Sequence, residues 1–149
     1  MEVITVERVI AAPVEEVFGW LADAGNYPRS PVVLTARLAR PGVGDPYGRE
    51  AVRVLIWVIG WFRERVTAYR PPHSFEYVVE RSFPPARHEG GKVTCAAVPG
   101  GTKVVWTTVA EIRVPFGAGV LTRVVAKPVI AFVFGRVLAA ADRALSVAR

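Results

Sequence analysis

One cysteine, Cys95, in 149 residues rules out an internal disulfide. With only two histidines, His73 and His88, far apart from it, no metal site can be built unless carboxylates supply nearly every ligand. No metal and no other cofactor is expected. Long apolar runs are missing too. Val54 to Phe62 falls well short of the roughly 20 residues a spanning helix needs, and Val124 to Ala141 is broken by Lys127, Pro128 and Arg136. The N-terminus has no basic start followed by an apolar stretch, and carries Glu2 and Glu7 instead. No secretory signal is read there, so a cytoplasmic location is expected. A dense basic run is also lacking. The formal charge is +6, yet arginines such as Arg8, Arg29, Arg37 and Arg40 are scattered singly and no nucleic-acid motif accompanies them. A solvated basic surface is the plainer reading, weak attraction for anionic ligands or lipid is the alternative, and no nucleic-acid partner is expected. Gly42, Gly44 and Gly48 precede no helix, so they cradle no phosphate, and no serine has a triad context.

What is present is apolar material in abundance: 52% hydrophobic against 21% charged residues. Repeats and linkers are absent, so residues 1–149 read as one domain with enough apolar surface for a core and a lined cavity. Glu2 to Ile10 is β-branched and reads as a strand, stopped by Ala11-Ala12-Pro13. Pro13 suits a first helical position, Glu15 and Glu16 suit a helix N-terminus, and Val14, Val17, Phe18 and Leu21 share one face. That helix ends by Ala24-Gly25, and a brief turn or helix follows through Asn26-Tyr27-Pro28. Six further strands are predicted: Val32–Ala39, Arg49–Trp57, Trp61–Tyr69, Ser74–Arg81, Arg87–Val98 and Thr102–Val114. Turns fall at hairpin spacing and no helix between them is long enough for a parallel crossover, so the sheet is antiparallel. Cys95 lies in one of these strands and reads as a buried, inert thiol. From Gly119 to Val147 the period becomes helical, with a kink expected at Pro128. Ile130, Phe134, Val137, Leu138, Ala141 and Leu145 share its apolar face, with Arg136 and Arg143 opposite and Phe132 nearer the arginine side. The fold class is therefore α+β: about seven antiparallel strands, two short helices between the first and second, and a long C-terminal helix.

Four segments carry a resemblance. Ile10-Ala11-Ala12-Pro13-Val14-Glu15-Glu16-Val17-Phe18 resembles the strand-to-helix junction of the START-like (SRPBCC) superfamily, and Leu21-Ala22-Asp23 through Tyr27-Pro28 resembles its "D…YP" segment. Trp61–Thr67, Pro71-Pro72 and Phe75-Glu76-Tyr77 look like its central hairpin, and Gly100–Trp106 like its final hairpin turn. These motifs are degenerate and speak for fold more than for activity. The tryptophan that many bacterial members carry after "YP" is replaced here by Arg29-Ser30-Pro31. The resemblance implies a helix-grip fold, in which a curved sheet around the helix encloses a mostly apolar cavity. It implies a small hydrophobic ligand (a lipid, polyketide or aromatic compound) or, in some members, a polyketide cyclase or dehydratase activity.

Within that fold, strand alternation points Phe75, Tyr77 and Val79 at the concave face, opposite Val104 and Trp106, with Phe134 and Leu138 coming from the helix. Glu64 shares parity with Phe62, Val66 and Ala68, which predicts an inward carboxylate in need of a partner. A rim ion pair with one of the arginines is the plainer alternative. His88 begins a strand and is a candidate hydrogen-bonding or acid/base group; a surface loop position is the alternative. The candidate ligand-binding set is Glu64, Tyr77, His88, Trp106 and Phe134, with no catalytic residue assigned. Arg53 could anchor an anionic head group, but a surface position is the plainer expectation. Trp57, Val58, Ile59 and Trp61 surround a hairpin tip at Gly60 that either folds over the core or forms a self-association or membrane contact. Three functions follow: a non-catalytic carrier or sensor, a cyclase or dehydratase, and an interaction module.

Overall fold

The computed structural model of the chain, described for residues 1–146, is an α+β helix-grip fold. The strands are β1 (Glu2–Ile10), β2 (Val33–Arg40), β3 (Val52–Trp57), β4 (Gly60–Arg70), β5 (Ser74–Phe83), β6 (Ala86–Val98) and β7 (Gly101–Ile112). Between β1 and β2 lie helix α1 (Val14–Ala22) and a 3₁₀ helix, Ala24–Arg29. One antiparallel sheet runs in the order β1-β7-β6-β5-β4-β3-β2. β2 through β7 follow one another as a meander, and β1 closes the far edge by pairing with β7, Glu2 opposite Ala110 and Ile10 opposite Thr102.

The sequence boundaries shift modestly. β3 starts at Val52 rather than Arg49, because Glu50 takes a left-handed backbone conformation (φ 73°) that a strand does not accept. β7 ends at Ile112, and Pro13 caps α1 from outside instead of occupying its first turn. The C-terminal helix runs from Ala118 to Ser146, so the end placed at Val147 lies outside the described residues. Its irregularity falls one turn before Pro128. Residues Thr122–Ala126 form a π-helical turn, and Lys127–Ser146 continue as regular α-helix. A wider turn upstream accommodates a proline that brings a ring and no N–H.

The core sits between the sheet's concave face, α1 and the second half of the C-terminal helix. Val17, Phe18 and Leu21 from α1 and Val133, Val137, Leu138 and Ala141 from the long helix are all buried. Phe18 meets Tyr69 and Phe75 edge-on or tilted, with ring centroids 5.4 and 5.9 Å apart. By length and composition the C-terminal helix is apolar enough to cross a membrane, but its buried stripe lies against the sheet. Cys95 is buried on β6, and burial pushes its thiol up to about 12.

Candidate functional site

The curved sheet and the helix close on each other at the β1, α1 end and stand apart at the other. There they leave an apolar cavity of about 230 Å³. β3 and β4 supply Trp57, Phe62 and Glu64; β5 and β6 supply Tyr77, Val79, Ala86 and His88; β7 supplies Thr108, Ala110 and Ile112. The helix contributes Thr122, Val125, Ala126, Val129, Ile130 and Phe134.

The cavity floor is aromatic. Phe134 stacks on Trp106 at 4.0 Å with planes 12° apart, and Trp57 packs against both, at 5.7 and 6.4 Å. Trp106 Nε1–H donates to the Tyr77 hydroxyl at 2.8 Å, which fixes the Tyr77 ring. That ring lies over Gly91, its partner across β5 and β6, where a Cβ would come within 2.2 Å of the ring. Glycine is required at 91 by this close approach.

Behind the wall is a buried ion pair. Arg53 and Glu64 stand directly opposite each other on β3 and β4, and Arg53 Nη2 donates to Glu64 Oε1 at 2.7 Å. Arg53 is 1% exposed. The rings of Tyr27, Phe75 and Tyr77 surround its guanidinium with centroids 5.5–5.8 Å away. Its Nε and Nη1 have no hydrogen-bond partner among the described residues. Burial works against the charge, but the Glu64 carboxylate together with the Tyr27 and Tyr77 hydroxyls outweighs it, and the guanidinium is held protonated more firmly than usual. Arg53 is thus interior, not at the surface: the parity that turns Glu64 inward turns Arg53 inward too. Glu64's ion pair is correspondingly buried rather than on the rim. Burial also raises the hydroxyls of Tyr27, to about 12, and Tyr77, so both stay neutral donors or acceptors.

His88 reaches the cavity through a defect in the sheet. Val93 and Gly91 of β6 face inward, and strict alternation would place Glu89 inward next. Instead the β6–β7 register shifts between His88 and Gly90, leaving Glu89 as the extra residue of a bulge. The bulge turns His88 and Ala86 toward the cavity. The Val79 N–H donates to His88 Nδ1 at 3.1 Å, so the neutral ring carries its proton on Nε2. Nε2–H then donates to Thr108 Oγ1 at 2.6 Å. Burial pushes the imidazole down to about 4, and a second proton would set Nδ1–H against the Val79 N–H. Thr108 makes no other side-chain hydrogen bond among the described residues, so its own hydroxyl proton is left for a group in the cavity. Thr122, by contrast, is fully used: its hydroxyl accepts from Ile112 N–H and donates to Ala118 O.

Of the five candidate residues, Glu64, Tyr77, His88 and Phe134 line the cavity, and Trp106 lies behind it as support for two of them. The expected set lacked Thr108, Ala110 and Ile112. They continue the Val104, Trp106 alternation along β7, so their signal was in the sequence. The hairpin tip folds over the cavity. Trp57 is buried, Ile59 lines the wall, and Val58 N–H is tied to Val32 O at 2.9 Å. Trp57 is therefore not available to a partner, while Val58 and parts of Ile59 and Trp61 remain outside. Gly60 permits this turn at φ 150°, where a Cβ would collide with the Phe83 carbonyl. Among the described residues no three His, Cys, Asp or Glu side chains converge as a metal site would require.

Fold and cavity together define a helix-grip protein with a small, mostly apolar internal site. The family model for polyketide cyclase / dehydrase and lipid transport matches residues 1–145, and the chain belongs to that family. No curated protein matches it. Solved structures similar in fold include a protein of Thermus thermophilus, at TM-score 0.80, 17% identity and 99% coverage of both chains. Another is a START superfamily protein from Mycobacterium smegmatis, at TM-score 0.76, 14% identity and 99% coverage of both. A third is the di-domain ARO/CYC BexL from the BE-7585A biosynthetic pathway, at TM-score 0.68 and 19% identity. The match covers 96% of this chain and 46% of that one.

Proposed function

We propose that this chain binds a compact, neutral, mostly apolar molecule that carries a hydrogen-bond donor for Glu64 and an acceptor for Thr108. The carrying observation is the cavity's polar inventory. Thr122 has committed its hydroxyl, the Tyr77 hydroxyl accepts from Trp106 and keeps its own proton, and Glu111 is engaged with the N-terminal amine and Arg87 at 3.3 and 3.8 Å. What remains is one carboxylate, held by Arg53, and two hydroxyl protons, that of Thr108, oriented by His88, and that of Tyr77, oriented by Trp106, against walls that are otherwise aromatic and aliphatic. A carboxylate-bearing ligand placed beside Glu64 is disfavoured by like charge. At about 230 Å³ the space lies just below the usual range for drug-sized ligands and suits a ring compound better than a long acyl chain.

The test uses Trp57, which lines the cavity. Naphthols should quench tryptophan fluorescence saturably with Kd below about a millimolar. Naphthoates and fatty acids of similar size should bind at least tenfold more weakly. If neither naphthols nor naphthoates bind, the cavity is not a ligand site and the reading fails.

A second reading, cyclase or dehydratase chemistry, draws on Glu64 and Thr108. A carboxylate that accepts a proton from carbon next to a ketone, opposite a hydroxyl that hydrogen-bonds the developing enolate oxygen, is a general-base arrangement. Deuterium exchange at that carbon of a bound aryl ketone, lost in Thr108→Val, would support it. Absence of exchange in the parent with a ketone shown to bind would leave only the binding role.

A further inference from the structure

Residues 112–141 hold four cations, Arg113, Arg123, Lys127 and Arg136, and not one Asp or Glu. The structure exposes much of this segment's apolar content. Phe116 is 93% exposed, and Val120, Val124 and Phe132 are each more than half exposed. Arg113, Arg123 and Arg136 are exposed and make no ion pair among the described residues, while Lys127 reaches Glu2 at 3.6 Å. Phe83, 73% exposed at the end of β5, belongs to the same rim: the Arg113 N–H donates to Pro85 O at 2.9 Å, and Pro84 lines the cavity. The inner side of this helical stretch, through Thr122, Ala126 and Ile130, is a wall of the cavity.

We propose that the outer face of residues 116–132, together with Phe83, docks on an anionic bilayer surface. Single apolar side chains standing among unpaired cations match the boundary between acyl chains and phosphate headgroups. A second copy of the chain fits worse. A two-fold interface would bring two copies of this cationic segment together, with no carboxylate in residues 112–141 to meet the arginines. The helix does not span. From Val133 onward its apolar stripe is buried in the core, so the docked stretch lies in the plane of the surface. The consequence is positional: the helical wall of the cavity faces the lipid, where an apolar ligand is concentrated.

Sedimentation with vesicles tests this independently of the ligand reading. The protein should co-sediment with vesicles containing phosphatidylglycerol and not with pure phosphatidylcholine, and salt should release it. Each basic residue near such a surface raises partitioning about fivefold, so Arg113→Glu with Arg123→Glu should cut binding by roughly 25-fold or more. Phe116→Ser with Val124→Ser should reduce it to a similar degree. All four side chains are exposed, so melting temperatures and naphthol binding should match the parent. A parent that ignores phosphatidylglycerol vesicles overturns the docking surface, whether or not naphthols bind. So does binding that is equal on neutral vesicles and insensitive to salt. An oligomer that the serine pair dissociates would assign the face to a second copy and overturn it as well.

Discussion

Arg53 is held by one carboxylate and three aromatic rings, and two of its nitrogens lack partners among the described residues. Such a pair adds little net stability, because desolvation offsets most of the attraction, but breaking it exposes the full cost of a lone buried charge. Glu64→Gln should therefore destabilise the fold by about 3–5 kcal/mol in urea melts. Arg53→Met combined with Glu64→Leu should lose far less, since no orphan charge remains. If the double variant is as unstable as the single one, the pair contributes packing rather than mutual neutralisation. His88 gives a pH signature of opposite origin. Its folded value, about 4, lies below its ordinary 6.5, so the unfolded chain binds the extra proton between those values. The contribution is complete above about 6.5 and disappears as pH falls toward 4. The parent's melting temperature should drop across that window more steeply than that of His88→Gln. Parallel profiles would mean that the ring is not held neutral.

At the scale of elements, the legible features were those with a period and the illegible ones were interruptions of it. Alternation in Phe75, Tyr77 and Val79, and in Val104 and Trp106, named the concave face correctly, and helical spacing put Phe134 and Leu138 on the buried stripe. The bulge at Glu89 inserts one residue without any breaker other than Gly90, so alternation could not decide where His88 points. The Arg53 placement failed for a chemical reason: an arginine on a strand is ordinarily solvated, and only its opposite number Glu64 makes the interior tolerable. The π-turn at Thr122–Ala126 likewise has no residue signature beyond Pro128 downstream. The helix itself is tested at Phe134, which joins the Trp57 and Trp106 rings. Phe134→Ala should cost about 3–5 kcal/mol. A loss under about 1 kcal/mol would mean that the helix does not dock on the sheet through this ring.

For the whole molecule, the cavity is a consequence of curvature. A sheet that pairs its first strand to its last and still wraps one helix cannot meet that helix along its full length. Close contact at Val137 and Leu138 leaves a gap at Val125 and Val129. An apolar gap forfeits contacts its walls would otherwise make, so the fold is less stable than a filled version of itself. Ala110 lies on β7 at this gap with only a methyl to offer. Ala110→Leu would place a branched side chain into free space. If the cavity is open in solution, the variant should be more stable by about 1–2 kcal/mol, from roughly 0.8 kcal/mol for each of the added carbons less about 0.5–1 kcal/mol for ordering the side chain. It should also lose naphthol binding. Were the space collapsed or occupied by neighbouring side chains, the same substitution would overpack the site and destabilise it by about 1–3 kcal/mol. Gain of stability with loss of binding would show a cavity kept open at a cost to the fold, whereas destabilisation without a binding change would place the ligand elsewhere.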